Sequence, residues 1–181
     1  RNVIAFTNTH AHFDHTGMIP ELLKKWDVPF WLHEGDHHLQ STAQESAARW
    51  GFTIPEPALP TDVWKDGQKY NFEGIEIDVI HTPGHSLGSV CLIIPDEEEP
   101  SHAFVGDVLF AGGVGRTDLP NSGGSWTLLE NSIKEKLFKL PDNTIVYPGH
   151  GPKTTIGQEK TSNPFVGELS QTFTNVRGRY I

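Results

Sequence analysis

The sequence predicts one mixed α/β domain in which strands and helices interleave from end to end. Three observations carry this. Short apolar runs that read as strands alternate with stretches of helical period. A chain of 181 residues is the right size for a single core. Its Gly (18) and Pro (13) fall in brief turn-forming runs such as Thr82-Pro83-Gly84, Ala111-Gly112-Gly113 and Pro148-Gly149, which punctuate ordered elements and do not mark disorder.

In order, residues 3–7 (VIAFT) read as a buried strand running straight into a histidine-rich loop. Residues 17–26 read as a helix with Pro20 in its first turn, where the missing N–H costs nothing. A second strand spans residues 28–32, and a second helix residues 36–50, stopped by Gly51. After a proline-rich loop, residues 68–72 and 75–80 form a hairpin turning at Glu73-Gly74. In its second arm Ile75, Ile77 and Val79 alternate with Glu76 and Asp78, the period of a half-buried strand. Residues 89–94 and 102–105 are further strands. Residues 126–140 are helical, with Leu128, Leu129, Ile133 and Leu137 at helical spacing, and residues 144–147 form a last strand. There are no internal repeats and no low-complexity segments.

A formal net charge of −9 argues against a nucleic-acid surface, which needs clustered Lys and Arg. Part of that charge sits in Asp96-Glu97-Glu98-Glu99, which reads as a solvated loop tip between strands. No apolar run approaches the ~18–20 residues that span a bilayer, and no signal peptide is visible, so no membrane partner is expected. The single Cys91 excludes an intramolecular disulfide, and its strand-like surroundings predict a buried, inert thiol. These features fit a reducing, cytoplasmic compartment. Nothing in the sequence sets an oligomeric state.

The chemistry is concentrated at strand ends. Thr9-His10-Ala11-His12-Phe13-Asp14-His15 places three imidazoles and a carboxylate within six positions, and these are the donors that zinc and related ions take. Thr82-Pro83-Gly84-His85-Ser86, Val105-Gly106-Asp107 and Tyr147-Pro148-Gly149-His150-Gly151 each deliver one His or Asp from an apolar run into a Gly/Pro turn. The sum is five imidazoles (His10, His12, His15, His85, His150) and two carboxylates (Asp14, Asp107). That is too many for one tetrahedral ion and suits two ions sharing a carboxylate. A closed structural ion would want four ligands, not seven around an open edge.

H-x-H-x-D-H, T-P-G-H-S, G-D and Y-P-G-H-G in that order resemble the metallo-β-lactamase superfamily. Gly115-Arg116-Thr117-Asp118-Leu119-Pro120, the run of residues 154–160 and Asn163-Pro164-Phe165 are similar to its small glyoxalase II-like hydrolases. The resemblance implies a four-layer αββα sandwich over residues 1–181, with two metals at one edge. It implies His10, His12 and His85 around the first ion, Asp14, His15 and His150 around the second, and Asp107 between them. The cofactors it implies are two divalent ions, zinc foremost, with iron or manganese also compatible with these donors. Adjacent cations lower the pKa of a bridging water, so a hydroxide attacking a small-molecule thioester such as an acylglutathione is the implied chemistry, with Asp14 orienting the attacking oxygen. Arg116 is a candidate for a substrate carboxylate or for an internal pair with Asp118. Family members carry strands ahead of H-x-H-x-D-H, whereas nine residues precede His10 here, so the resemblance implies a chain missing N-terminal strands. Only 31 residues follow His150, too few for the glutathione-holding helical domain of glyoxalase II.

Other readings rank lower. Persulfide dioxygenases of the same superfamily also carry Gly-Arg-Thr-Asp and are implied to use one iron held by two His and one Asp. A β-lactamase resembles the chain little beyond its ligands, and a nuclease fits poorly with the charge. His33-Glu34-Gly35-Asp36-His37 matches the H-E-x-x-H signature of zinc proteases, but that motif needs both rings on one helix face. Here His33 ends a strand, and Gly35 is unfavourable in a helix. His38 and His102 read as exposed or strand-flanking, Tyr147 as packing, and His81 as support beside the ligands.

Overall fold

The fold, seen in a computed structural model that describes residues 2–168 and Ser170, has two facing sheets with helices outside each. The smaller sheet is parallel: β1 (Phe6–Thr7), β2 (Phe30–His33) and β3 (Asp62–Trp64) lie side by side in that order. The larger sheet contains β4 (Lys69–Phe72), β5 (Ile75–His81), β6 (Val90–Ile94), β7 (His102–Gly106), β10 (Ile145–Pro148) and β11 (Thr154–Thr155), in the order β11-β10-β7-β6-β5-β4. β4 to β7 form an antiparallel meander, and β10 returns parallel to β7. A small hairpin, β8 (Leu109–Phe110) and β9 (Gly113–Val114), follows β7.

Three apolar clusters define four layers, the predicted αββα sandwich. Phe30 and Leu32 of β2 pack with Ile19 of α2 (Ile19–Leu23) and Leu39 of α3 (His37–Ser41). Between the sheets, Trp64, Val79, Val90 and Leu92 meet Trp31, Tyr70 and Phe72, with the Trp31 and Trp64 rings 4.7 Å apart. On the far face, Cys91, Ile93, Ala103, Val105 and Val146 pack against Leu129 and Ile133 of α5 (Trp126–Glu135) and Ile156 of α6 (Ile156–Ser162). Alternate residues of β6 and β7 thus face opposite layers, as the two-residue strand period requires. Beside β1 a cleft of about 330 Å³ remains between the sheets, lined in part by Ile77, Ile94 and Phe104.

Several elements differ from their expected spans. The first predicted helix, residues 17–26, is the shorter α2, with Pro20 in its first turn as expected, and an unpredicted short helix, α1 (Phe13–Thr16), precedes it inside the histidine loop. The second is broken at Thr42 into α3 and α4 (Ala43–Arg49), preceded by a 3₁₀ turn at Glu34–Asp36. The Thr42 hydroxyl bonds the His38 carbonyl at 2.8 Å, a local competition with the helix ladder. The last long helix stops at Glu135 and continues as a 3₁₀ turn, Leu137–Lys139. Strands β3, β8, β9 and β11 are two or three residues long and show no periodicity that would reveal them. Asp96–Glu99 is an exposed tip between β6 and β7, as read. Cys91 is fully buried, and burial pushes its thiol up to about 12, so it is inert.

Candidate metal centre

The ligand loops converge because short strands end level with one another at one edge of the sandwich. β1 delivers His10 and His12, and the turn into α1 adds Asp14 and His15. β5 leads to His85, β7 to Asp107 and β10 to His150. Backbone bonds lock the loops together: Val90 N–H donates to Thr9 O at 2.9 Å and Gly149 N–H to Gly106 O at 2.8 Å. The pairing of β10 with β7 shifts register between Tyr147 and Pro148, a bulge that brings the His150 turn against Asp107. Two glycines here answer a steric need. A Cβ at Gly149 would stand 2.2 Å from Asp107 Oδ1 and 2.7 Å from His15 Cε1. Gly106, at φ +51°, would meet Thr9 Oγ1 at 2.2 Å.

All seven sequence-predicted side chains come together. His12 Nδ1 lies 2.8 Å from His85 Nε2, and the His10 ring is 4.9 Å from His12 and 4.8 Å from His85, centre to centre. On the other side Asp14 Oδ2 is 3.1 Å from His150 Nε2 and 3.5 Å from His15 Nε2. Asp107 sits between: Oδ2 is 3.7 Å from His85 Nε2 and 3.5 Å from His150 Nε2, while Oδ1 is 3.4 Å from His15 Nε2. Donor atoms of His10, His12 and His85, and of Asp14, His15 and His150, form two groups each within 4.8 Å, and a third such group, His10, His15 and Asp107, joins them.

The donors fit divalent ions. His10 Nε2 and His12 Nε2 are buried without a hydrogen-bond partner, a costly arrangement for polar atoms unless something binds them. His85 Nδ1 faces the Arg116 carbonyl at 2.7 Å; its N–H donates there, leaving the Nε2 lone pair toward the cluster.

Electrostatics point the same way. Burial, reinforced by neighbouring imidazoles, holds His10 well below 6.5, and burial with His85 beside it brings His12 to about 3. Burial also lowers His85. All three are therefore neutral near pH 7, the form that ligates. For His15 burial works downward, but the hydrogen bond and charge of Asp107 and the charge of Asp14 outweigh it and raise the ring. Burial would raise Asp107, yet His15, His85 and His150 bring it below its usual range.

A pH dependence follows for the chelated protein. Because His10, His12 and His85 are held below 6.5, the unfolded chain takes up their protons first, and stability present above pH 6.5 is lost as pH falls toward the folded values. His15 is raised, so its contribution is complete below 6.5; Asp107 enters only below 3.8. Between about pH 7 and about pH 5 the chelated protein is expected to lose ~2 kcal/mol through His12 alone. Calorimetry should register this as a Tm lower by ~4–8 °C; an unchanged Tm contradicts the assignment.

The largest miss of sequence reading is Asp36, assigned only to the start of a helix. It is fully buried, and Oδ2 accepts Ala11 N–H at 2.9 Å and Ser86 Oγ–H at 2.8 Å, while Oδ1 accepts Gly88 N–H at 2.6 Å. Ala11 lies between His10 and His12, and Ser86 follows His85, so one carboxylate ties together the loops bearing all three rings. The close approach needs a bare Gly88, where a Cβ would be 2.5 Å from Asp36 N. The H-E-x-x-H match is a coincidence of spacing: His33 ends β2, and His37 opens α3 after the 3₁₀ turn. His81 does not support a ligand ring. It stacks on His33 at 4.2 Å and bonds the Leu87 carbonyl at 2.8 Å. Arg116 makes the internal pair, with Nε and Nη2 on Asp118 at 2.8 and 3.1 Å. Tyr147 packs on Phe104 and bonds His102, and His38 is exposed.

The pattern of the Metallo-beta-lactamase superfamily matches residues 1–150. The chain belongs to the metallo-beta-lactamase superfamily. Hydroxyacylglutathione hydrolase GloC of Haemophilus influenzae is 41% identical over 90% of this chain and 75% of its own length. The crystal structure of TTHA1623 in a di-iron-bound form is 41% identical with a TM-score of 0.80, covering 91% of this chain and 78% of that one. The BLEG-1 B3 metallo-beta-lactamase is 39% identical with a TM-score of 0.81, over 90% of this chain and 77% of that one. Likeness to a β-lactamase therefore extends far beyond the ligands, contrary to the sequence reading. ETHE1 from Myxococcus xanthus is more distant, at 25% identity, 97% and 70% coverage and a TM-score of 0.71. A metal-dependent hydrolase of this superfamily is the activity these likenesses support, and one of the solved neighbours, TTHA1623, is in a di-iron-bound form. Among the described residues no helix is long and apolar enough to cross a membrane.

Proposed function

We propose that this protein is a two-metal hydrolase of thioesters. His10, His12 and His85 would hold one divalent ion, Asp14, His15 and His150 the other, with Asp107 shared between them and zinc or iron as the metal. The observation that carries this reading is the placement of Asp107, whose two oxygens lie within 3.4–3.7 Å of His15, His85 and His150 and so reach both groups of ligands. When bound, such ions supply Lewis acidity and a water made nucleophilic near neutral pH.

The chain's own residues do the rest. Asp14, 41% exposed at the side chain, offers a carboxylate at the mouth of the site to accept a proton from the attacking water and aim its oxygen. In the overall reaction the water oxygen bonds to the carbonyl carbon, the carbon–sulfur bond breaks, one water proton ends on the departing thiol and the other leaves with the carboxylic acid. A thiolate leaves readily, so no strong general acid is needed. No Ser or Cys nucleophile is required, consistent with a buried Cys91. The thioester assignment draws support from the similarity to GloC.

A second reading, a mononuclear-iron persulfide dioxygenase, is favoured by the Gly115-Arg116-Thr117-Asp118 run and the likeness to ETHE1. One sample separates the two. Metal analysis, thioester hydrolysis, β-lactam hydrolysis and persulfide-dependent oxygen uptake are measured together. Two ions with thioester turnover is the expected result. One iron with oxygen consumption, or β-lactam turnover without thioester turnover, replaces it.

A further inference from the structure

Beside the ligands opens a cavity of about 500 Å³. His12, Asp14, His85, Asp107 and His150 form its floor, but its walls are apolar: Phe13, Trp50, Phe110 and Leu119, with Pro120 and Pro152. The fold holds these aromatics at the surface deliberately close to the floor. Phe13 opens α1, inside the ligand motif itself. Trp50 ends α4, and Gly51 at φ +79° reverses the chain so that Phe52 N–H returns to the Ala47 carbonyl at 3.0 Å. Phe52 then packs on Phe13 at 5.7 Å. Trp50 is nonetheless 56% exposed and Phe52 59% exposed, so a row of uncovered rings borders a concave site. Contiguous exposed apolar surface of that kind marks a binding wall.

The charge of the walls is equally informative. Arg116 is the only Lys or Arg side chain lining the cavity among the described residues, and Asp118 grips it with two hydrogen bonds. A thiol carrier rich in carboxylates, as glutathione is, would want cations spread along the wall to replace its lost hydration. Among the described residues these walls offer apolar contact and one cation, paired with Asp118.

We propose, resting on the hydrolase reading above, that the substrate carries an apolar group of about aromatic-ring size beside its scissile carbonyl, seated against Phe13, Trp50, Phe110 and Leu119. A glutathione headgroup is not what this cavity selects. The apolar group belongs to either the acyl or the thiol half, and the experiment distinguishes them.

The metal-loaded protein is assayed with acetyl, lactoyl and phenylacetyl thioesters of glutathione and of the uncharged N-acetylcysteamine, and with acetyl S-benzyl thioester. In parallel, calorimetry measures binding of non-hydrolysable ketone analogues, with CH₂ in place of sulfur, bearing phenyl or methyl. The expected result is kcat/KM at least ~10-fold higher with a ring in one half than with acetyl or lactoyl, and tighter binding of the phenyl ketone by a similar factor. Which half carries the preference identifies the acyl or the thiol side. Trp50→Ala and Leu119→Ala should each cut that preference for the ring several-fold. Both positions are partly exposed, so folding should survive, as circular dichroism would verify. Faster hydrolysis of lactoylglutathione than of any ring-bearing thioester, or equal binding of the two ketones, overturns the inference and leaves the hydrolase reading standing. Failure of the loaded protein to cleave any thioester overturns the hydrolase reading, while the calorimetry still decides the character of the wall.

Discussion

Asp107→Asn is expected to leave the protein unable to hold two ions and to reduce hydrolysis by at least ~100-fold. The substitution is isosteric, so the space that Gly149 leaves beside the carboxylate still accepts the side chain. What is lost is the negative charge and one acceptor oxygen at the point where His15, His85 and His150 meet. Losing a supporting residue outside the ligand shell already costs ~10–100-fold in metal affinity or activity; losing a carboxylate that serves both ions costs more. Metal content after dialysis is the measurement, and a full two-ion load with unaltered turnover would sink the assignment. A second readout needs no metal. The Asp107 hydrogen bond and charge are what keep the His15 ring above 6.5 against burial. NMR titration of the chelated Asp107→Asn protein should therefore find His15 shifted downward.

Asp36→Ala should be the most damaging change away from the ligands. It strands the Ala11 and Gly88 N–H groups and the Ser86 hydroxyl in a fully buried place. At ~1–3 kcal/mol for each orphaned buried group, a loss of ~3–5 kcal/mol and a Tm lower by ~10 °C are expected. The position of Asp36 adds a functional consequence. With the crosspiece gone, the His10/His12 loop and the His85 loop lose their common anchor, and affinity for the first ion should fall ~10–100-fold. Asp36→Asn separates the two effects. Its single carbonyl oxygen can still serve Ala11 and Ser86, but its NH₂ then faces the Gly88 N–H. Stability should recover in part and first-site affinity should recover with it. Metal titrations at matched folded fraction test this; parental affinity in Asp36→Ala would show that the carboxylate only holds the fold.

The ligands were legible because each is announced locally. His85, Asp107 and His150 each stand in a Gly or Pro turn after a strand, and His10, His12, Asp14 and His15 share one dense run after β1. Asp36 announced nothing: its partners lie 25, 50 and 52 residues away, and only packing joins them. The same holds for Glu159, buried in α6, whose carboxylate holds Gly112, Thr154 and Asn163. Helix breaks escape periodicity where a side chain competes with the backbone, as Thr42 does.

By itself, then, the sequence determined the layered α/β class, the seven candidate donors and their order along the chain, because periodicity and turn chemistry are local. Tertiary structure decided which donors share an ion-sized space, that Asp107 lies between the two groups, and that Arg116 is spent on Asp118. It also decided that the cavity walls are aromatic. Those outcomes depend on distances between loops far apart in sequence, and such distances are set only when the two sheets and their helices close on one another.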